Sequence, residues 1–278
     1  MQGKLILVGT PIGNLGDFSP RGVAALGECD FIAAEDTRVS VKLLNHFGIK
    51  KPLLSYYEHN RIRRGEEIRQ RILSGETCVL VSDAGMPVIS DPGEELVAEC
   101  ARCGIEVSVV PGPNAAVSAL AISGLRGGRF TFEGFLSMNK KSRRAHLESL
   151  VSEQRTMIFY EAPHKLRATL ADLLGALGER NIAIVRELTK LHEEAIRTTL
   201  GKAVERYAEE NPKGEIVLIV EGAEVVEAPE FTLEEAVQLA LEYTEQGLTV
   251  SEAARKAAHT SGIKKSDIYK ELISEREE

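Results

Sequence analysis

Long hydrophobic runs are missing from this sequence of 278 residues. No stretch approaches the roughly 18 continuous apolar residues that a membrane span requires. The first apolar segment, Leu5–Val8, stops at Gly9 and Pro11, which makes it too short for the core of a signal peptide. We therefore expect a cytoplasmic protein that does not enter a membrane, with Leu5–Val8 as a first buried strand.

Cysteine is scarce, with four residues at Cys29, Cys78, Cys100 and Cys103. The last two have the C-x-x-C spacing of zinc sites and redox motifs, but neither a second ligand pair nor a nearby histidine accompanies them. We therefore expect two reduced cysteines on a helix and no bound metal.

Positive charge is also in short supply, because 34 Lys and Arg residues face 42 Asp and Glu residues and leave a net charge of −8. Nucleic-acid-binding proteins are usually basic, so such a function needs a local basic patch. Residues 126–146 provide one, with a single glutamate among six basic residues: Arg126, Arg129, Lys140, Lys141, Arg143 and Arg144. A second cluster, Arg61, Arg63 and Arg64, is typical of a solvated helix face.

Two standard phosphate-binding fingerprints are absent. Gly9, Gly13 and Gly16 do not fit the spacing G-x-G-x-x-G, and no G-x-x-x-x-G-K-[ST] motif occurs. A dinucleotide-dependent oxidoreductase is therefore disfavoured.

The first part of the chain alternates between strand-like and helix-like segments. The predicted strands are Lys4–Val8, Phe31–Ala34, Thr77–Val81 and Glu106–Val110, and the clearest helices are Arg61–Leu73 and Glu94–Cys103. This alternation predicts an α/β layer structure with a parallel sheet, in which ligands bind beyond the carboxyl ends of the strands.

A second α/β unit follows the glycine-rich stretch at residues 123–128, and a helical tail follows it. The predicted strands are Phe130–Leu136, Arg155–Tyr160, Ile182–Arg186 and Glu215–Val220, with helices at His146–Ser152, Lys165–Leu177 and Lys202–Glu209. The tail helices are predicted at Leu233–Gln246, Val250–His259 and Ser266–Ile273. The predicted domains are residues 1–122, 123–228 and 229–278. The tail carries six basic and eleven acidic residues, so substrate orientation, contact with another protein and packing on a partner subunit all stay open for it.

The loop at residues 82–93 is the best candidate for a ligand site. Ala84 and Gly85 allow a ligand to approach the main chain closely. Asp83 supplies a negative charge suited to an ammonium or sulfonium group, and Pro87 stiffens the loop. We favour this interpretation over a tight crossover turn.

Several motifs in series resemble the tetrapyrrole methylase superfamily and, within it, the family of methyltransferases that act on small-subunit ribosomal RNA. The resemblance runs from about Lys4 to Val220 and rests on these segments: 9–17 (GTPIGNLGD), 34–38 (AEDTR), 82–87 (SDAGMP), 90–93 (SDPG), 111–115 (PGPNA), 132–136 (FEGFL), 159–164 (FYEAPH) and 186–190 (RELTK). The tail resembles the small C-terminal helical domain of that family.

The resemblance implies two α/β domains of the tetrapyrrole methylase type with S-adenosylmethionine in the cleft between them, and a homodimer. It also implies 2′-O-methylation of a cytidine in the decoding region of 16S ribosomal RNA, within the small ribosomal subunit. The implied cofactor contacts are Pro11, Asp83, Ala84, Gly85, Pro87, Ser90, Pro113 and Ala115. Segments near Phe135, Tyr160 and Glu215–Val217 would close over the cofactor.

A ribose hydroxyl is a poor nucleophile until a base accepts its proton. The candidate bases or orienting groups are Glu35, Asp36, His59, Asp91, Glu161 and Glu187. Glu187 and Lys190 come first as catalytic residues because their motif faces the cleft in the resemblance. Arg38 and Lys190 are candidates for holding phosphate or for stabilising the developing alkoxide.

Two other functions stay open. A methylase of a porphyrin or corrin would share the fold and the cofactor, but the basic segment 126–146 and the helical tail favour RNA. A non-catalytic RNA-binding assembly factor is disfavoured by the intact small-residue loops.

Overall fold

The computed structural model describes residues 3–209, 212–224 and 231–277. Contacts divide the chain into two compact units, the first ending at Ala223 and the second beginning at Glu224. The first unit contains two five-stranded sheets, and the second contains helices. The predicted α/β class, the two sheets and the C-terminal helices are confirmed.

The first sheet is parallel throughout, with strand order β3-β2-β4-β1-β5. Its elements in chain order are β1 (Lys4–Val8), α1 (Pro20–Glu28), β2 (Phe31–Ala34), α2 (Thr37–His46), β3 (Leu53–Ser55), α3 (Arg61–Leu73), β4 (Cys78–Val81), α4 (Glu94–Arg102), β5 (Glu106–Val110) and α5 (Ala115–Ser123). The predicted strands are confirmed, while β3, α1, α2 and α5 were not predicted.

Burial on both faces explains why the inner strands are continuous apolar runs. Every residue of β2 and of β4 is buried. Apolar side chains of α3 and α4 pack on one face of the sheet, and those of α1 and α2 pack on the other. Parallel strands covered on both sides have this composition in general.

The second sheet is mixed, with strand order β6-β7-β10-β8-β9. Its elements are β6 (Phe130–Phe135), α6 (Lys140–Ser149), β7 (Thr156–Glu161), α7 (Leu166–Leu177), β8 (Asn181–Arg186), β9 (Glu194–Thr199), α8 (Leu200–Arg206) and β10 (Ile216–Val220). β6 and β7 are parallel, and the other neighbours are antiparallel.

Helix α6 begins six residues before the predicted start at His146, so that prediction was wrong. The side chain of Asn139 accepts hydrogen bonds from the N–H groups of Lys141 and Ser142 and caps the helix. Because of this earlier start, α6 includes Lys140, Lys141, Arg143 and Arg144. Helix α8 also begins earlier than predicted, and β9 was not predicted.

Helix α5 joins the two sheets. Ala116, Ala119 and Leu120 of α5 form one apolar cluster with residues of the second sheet such as Ile158 and Val217. A helix that spans the predicted boundary at residue 122 thus packs on the sheet that follows it. That boundary stays a prediction, and the predicted boundary at residues 228 and 229 lies outside the described residues.

The second unit consists of α9 (Leu233–Glu245), α10 (Val250–Ser261) and α11 (Lys265–Glu277), close to the three predicted helices. Thr232 and Thr249 each form a capping box with the glutamate three residues later. Small and branched apolar residues, Ala240, Ala254 and Ile268 among them, form its core. No helix among the described residues combines the length and apolar character needed to cross a membrane.

Candidate active site

A cavity of about 370 Å³ lies within the first unit, between the carboxyl ends of the first sheet and one end of the second. A volume of this size suits a small ligand or cofactor. The first half contributes Ile12, Ala84, Gly85, Met86, Ile89, Ser90, Asp91, Asn114 and Ala115. The second half contributes Phe135, Tyr160, Glu161, Ala162, Pro163, Val185, Leu188, Glu215, Ile216 and Val217.

The loops that follow β1 and β4 are hydrogen-bonded to each other beside the cavity. Thr10 and Gly85 exchange two backbone hydrogen bonds of 2.9 and 3.1 Å. The hydroxyl of the buried Thr10 also donates to the carbonyl oxygen of Ser82 at 3.2 Å. Gly85 has a φ of +83°, which favours glycine. The loop that contains most of the predicted cofactor residues is thus held in one position.

Unfavourable backbone conformations concentrate at the cavity. Among the described residues, the non-glycine residues with positive φ are Val88, Ser90, Glu187 and Thr189. The first two belong to the loop after β4 and the last two to the loop after β8, and both loops line the cavity. Such conformations cost of order 1–3 kcal/mol each and cluster at functional sites.

Three carboxyl groups lie at the ends of β2 and β4. Burial, followed by the charges of Asp91 and Asp83, raises the pKa of Glu35 to about 7. Burial also raises the pKa of Asp91, to about 6, although a hydrogen bond from Ser82 opposes it. Asp83 accepts a 3.0 Å hydrogen bond from the N–H of Asp36, and burial raises its pKa as well. A bound cation would favour the ionised form of all three groups.

Glu187 and Lys190 form an ion pair in the loop after β8, next to the lining residue Leu188, and neither of the two lines the cavity. The Nζ of Lys190 lies 3.0 Å from Oε1 of Glu187 and 3.4 Å from Oε2 of Glu215. The hydrogen bond from Lys190 lowers the pKa of Glu187. Burial opposes the charge on Lys190, but the two carboxylates outweigh it and raise its pKa. The stem of Lys190 lies against Gly13, where a Cβ would come within 2.6 Å of its Cγ, so the predicted pair lies between the two halves.

Two other predicted polar residues lie at the surface. The side chain of Arg38 is 88% exposed and pairs with Asp36 at 2.6 Å. The hydrogen bonds from Arg38 lower the pKa of Asp36 to about 2, so Asp36 serves as the cap of α2 and is a weak base. His59 is exposed and its ring lies 6.1 Å from that of Tyr57.

The predicted cofactor residues fall into two groups. Ala84, Gly85, Ser90 and Ala115 line the cavity, whereas Pro11, Asp83, Pro87 and Pro113 belong to the same loops without lining it. Prediction from sequence missed several lining residues, chiefly Ile12, Met86, Ile89, Asn114, Val185 and Leu188. Their signal was available, since each lies in a predicted strand or in the loop that follows one.

Glu161 is the buried carboxylate of the cavity wall, with 5% of its surface exposed. It accepts hydrogen bonds from the hydroxyl of Thr169 and from the N–H of Ala162. Arg143 donates to Thr169 at 2.9 Å and to Asp172 at 2.6 Å, and its side chain is only 15% exposed. The prediction that Arg143 belongs to a free basic surface was therefore wrong, because these partners hold its guanidinium between α6 and α7.

The cysteines have no role at the cavity. Cys100 is buried and Cys103 is exposed, and both are free. Burial raises the pKa of Cys100 to about 11, which makes it a poor thiolate donor. The described residues contain no group of three or more His, Cys, Asp or Glu side chains that could hold a metal ion.

Comparison with known proteins places this geometry in a family. The family described as Tetrapyrrole (Corrin/Porphyrin) Methylases matches residues 4–204. A protein of Synechocystis sp. named ribosomal RNA small subunit methyltransferase I is 48% identical over 269 residues, which cover 96% of each chain. Its namesake in Halalkalibacterium halodurans is 49% identical and covers 96% of this chain and 94% of the relative. In Thermotoga maritima the namesake is 50% identical over 223 residues, covering 80% of this chain and all of the relative.

Solved structures share the fold at low sequence identity. The methyltransferase CobJ superposes with a TM-score of 0.60 at 21% identity and covers 80% of this chain and 95% of its own. A uroporphyrin-III C-methyltransferase from Thermus thermophilus, complexed with S-adenyl homocysteine, gives a TM-score of 0.55 at 17% identity over 78% of this chain and 97% of its own. These similarities concern the fold alone. The identity of 48–50% over most of the chain goes further, and the chain belongs to the ribosomal RNA small subunit methyltransferase I family of the tetrapyrrole methylases.

Proposed function

We propose that this chain transfers the methyl group of S-adenosylmethionine to small-subunit ribosomal RNA, at the 2′-hydroxyl of a cytidine in the decoding region of 16S ribosomal RNA. By family it is an S-adenosylmethionine-dependent methyltransferase. The observation that carries the proposal is the cavity between the two sheets, lined by the loops whose sequences match the family motifs.

The residues at the cavity fit S-adenosylmethionine. The cofactor contacts proposed from sequence, Pro11, Asp83, Ala84, Gly85, Pro87, Ser90, Pro113 and Ala115, come from three adjacent loops. A Cβ at Gly85 would lie 3.3 Å from Ile12 and 3.5 Å from the carbonyl oxygen of Pro113. Residues of the two neighbouring loops therefore lie close to the main chain at Gly85. Asp91 lines the cavity, and Glu35 and Asp83 lie in the adjoining loops; these three carboxyl groups favour a ligand with positive charge. When bound, the cofactor supplies a methyl group on a sulfonium, activated for displacement.

Asp91 is the better-placed proton acceptor for the ribose hydroxyl. An efficient base has a pKa near the working pH, and burial brings that of Asp91 to about 6. The pKa of Glu187 is lowered instead, and its carboxylate is already hydrogen-bonded to Lys190 and to the N–H of Glu215. Glu187 stays a candidate, with a role in positioning Lys190 through their ion pair.

Lys190 and Arg38 are proposed to act through their positive charge. Lys190 is protonated at neutral pH, because its pKa is raised, and it can stabilise the alkoxide as the proton leaves. Arg38, on the exposed start of α2, can exchange its contact with Asp36 for an RNA phosphate.

The small ribosomal subunit is the proposed partner, and we also propose a cytoplasmic homodimer. The names of the relatives refer to small-subunit ribosomal RNA. Five basic residues of the segment 126–146 are exposed: Arg126, Arg129, Lys140, Lys141 and Arg144. Arg144 pairs with Glu148 at 2.7 Å and would exchange that contact for phosphate. The homodimer rests on the family resemblance.

A transfer assay tests the proposal. Purified protein is incubated with S-adenosylmethionine carrying a labelled methyl group, and with small subunits that lack the modification. We expect the label in 16S ribosomal RNA and none in uroporphyrinogen or corrin intermediates offered in parallel. Label in a tetrapyrrole would support the alternative substrate. Tight binding to small subunits with no transfer of label would support the non-catalytic assembly factor.

A further inference from the structure

The edge strand β6 carries an unusual row of exposed phenylalanines. Phe130, Phe132 and Phe135 are 40%, 36% and 59% exposed. Among the described strands, β6 pairs only with β7. In a regular strand Phe135 would face opposite to the other two, because side chains alternate. A bulge between Phe132 and Gly134, where Gly134 has a φ of +63°, shifts the register by one residue.

The bulge turns all three rings to one face of the sheet. Phe132 is paired with Ile158 of β7, and Phe135 is paired with Tyr160 two residues later. The ring of Tyr160 packs against both phenylalanines, at centroid distances of 5.0 and 5.5 Å. A bulge that re-aims a side chain beside a site is a recurrent device. We call Phe130, Phe132 and Phe135 the phenylalanine row.

The row lies on the face of the second sheet that α5 covers, but it extends beyond the residues that pack against α5. The apolar cluster formed with α5, within the described part of the chain, contains Ile158, Val217 and Ile219 but none of the three phenylalanines. The row ends at the cavity, since Phe135 and Tyr160 line it. A Cβ at Gly134 would lie 3.6 Å from the hydroxyl of Ser90, a residue of the cofactor loop. The row therefore leads from the sheet edge to the cavity mouth.

Positive charge precedes and follows β6 along the chain. Arg126 and Arg129 precede β6, and Lys140, Lys141 and Arg144 follow it on α6, all with exposed side chains. The one carboxylate within the strand, that of Glu133, is 13% exposed and pairs with His146 at 2.8 Å. Aromatic faces bordered by cations are the arrangement that binds unpaired nucleotides, through base stacking and phosphate contacts.

We propose that the phenylalanine row is the platform on which unpaired nucleotides of the substrate RNA stack, with Phe135 holding a base at the cavity mouth. The inference rests on the proposed function and adds how the substrate enters. A ribose hydroxyl inside a duplex cannot reach the cavity, so the target nucleotide must leave its stack. A second copy of this chain is a poorer occupant, because a symmetric contact would bring like charges together at both ends of the row.

The test compares Phe135→Ala and Phe132→Ala with Phe135→Trp and with a control, Leu73→Ala, whose side chain is 50% exposed at the end of α3. Co-sedimentation with purified small subunits, in the presence of S-adenosylhomocysteine, measures binding without methyl transfer. Because stacking contributes about 1–3 kcal/mol per base, we expect Phe135→Ala to weaken this binding about tenfold or more. Phe135→Trp keeps a ring and is expected to bind as the unsubstituted protein does.

Affinity for S-adenosylmethionine, measured by calorimetry, should be the same in Phe132→Ala and Leu73→Ala, whose side chains do not line the cavity. S-adenosylhomocysteine is kept saturating for the Phe135 variants, because Phe135 lines the cavity. Binding by both alanine variants equal to that of Leu73→Ala would overturn the inference. A parallel loss of cofactor affinity would make Phe135 a cofactor wall, and a change of oligomeric state in sedimentation velocity would make the row a contact between subunits. Absence of methyl transfer by the unsubstituted protein, with binding still dependent on Phe135, would overturn the proposed function and leave this inference standing.

Discussion

At the residue scale, Ala115 offers the cleanest test of the cofactor cavity. It is the first residue of α5 and lines the cavity, so a larger side chain there fills the space without straining the backbone. Overfilling a packed site costs about 1–3 kcal/mol. We therefore expect Ala115→Leu to weaken S-adenosylmethionine binding about tenfold or more, measured by isothermal titration calorimetry.

The matched control is Ala121→Leu, on an exposed position of the same helix. It should bind the cofactor normally. Equal affinities for the two variants would exclude this cavity as the cofactor site. Gly85 is less suitable for substitution, because its φ of +83° and its bridge to Thr10 mean that a side chain would also distort the loop.

Glu35 predicts a specific pH dependence. Its pKa is raised to about 7 in the folded protein, so its ionisation costs stability as pH rises through that value, and a bound sulfonium offsets the cost. We expect S-adenosylmethionine affinity to increase from about pH 5.5 to about pH 7.5. This interval lies below the ordinary pKa of an α-amino group, about 7.8, so the amino group of the cofactor stays mostly charged. Over the same interval the ligand-free protein should lose stability.

Glu35→Gln separates this effect from other titrations. Because the amide does not ionise, both trends should flatten in this variant. S-adenosylhomocysteine, which lacks the sulfonium charge, should show a weaker pH dependence than S-adenosylmethionine with the unsubstituted protein. A pH dependence that is the same in Glu35→Gln would assign the titration to another group.

The sequence motifs predict which loops form the site better than they predict the role of each side chain. Ala84, Gly85, Ser90 and Ala115 were predicted and line the cavity. They could be predicted because small residues after a strand allow a ligand to approach the main chain closely. Arg143 was assigned to the wrong environment, since its partners, Thr169 and Asp172, lie 26 and 29 residues away on α7. Such long-range pairing depends on helix packing and leaves no local pattern.

At the scale of elements, α6 is expected to carry phosphate contacts. Lys140→Glu, Lys141→Glu and Arg144→Glu together reverse three exposed charges. We expect weaker binding to small subunits and a shallower dependence of log affinity on log salt, by roughly 0.7 for each phosphate that the variant no longer neutralises. Binding measured by co-sedimentation over a range of salt concentrations gives this slope, and cofactor affinity should not change.

A triple reversal elsewhere on the surface is the control for net charge. Lys42, Lys50 and Arg102 are exposed, and their reversal should leave the salt slope unchanged. Arg143→Ala should behave differently from both, because it removes the partner of Asp172 and one of the two partners of Thr169. We expect loss of stability of about 1–3 kcal/mol in that variant. Identical slopes of log affinity against log salt for the two triple variants would mean that the basic residues of α6 form a solvated face and do not contact RNA.

Element boundaries follow from caps that a hydrophobic pattern does not reveal. The start of α6 is fixed by Asn139, although its first turns contain only polar residues. The three-residue β3 and the edge strand β9 bury little, so their apolar signal is weak. Among the strands that were predicted, β2 and β4 are buried throughout.

At the scale of the whole molecule, the cavity belongs entirely to the first compact unit. That unit ends at Ala223, and the Thermotoga maritima relative aligns over 223 residues that make up its full length. We therefore expect a chain ending at Ala223 to bind S-adenosylmethionine with unchanged affinity in calorimetry. Loss of cofactor binding by this folded fragment would mean that the C-terminal helices complete the site.

Net charge is a poor guide to the substrate of this molecule. The total of −8 argues against RNA binding, yet exposed cations are concentrated in α6 and in the segment before β6. Composition averages over the acidic tail and the rest of the surface, whereas binding depends on the local field.

The most direct test of the proposed function is nucleoside mass spectrometry of 16S ribosomal RNA after reaction with the purified protein. We predict 2′-O-methylcytidine after complete digestion and an adjoining linkage that resists alkali, because the methyl group occupies the hydroxyl that would attack the phosphate. A methyl group on the base, or transfer only to a porphyrin or corrin, would contradict the proposed substrate while leaving the family and the fold in place.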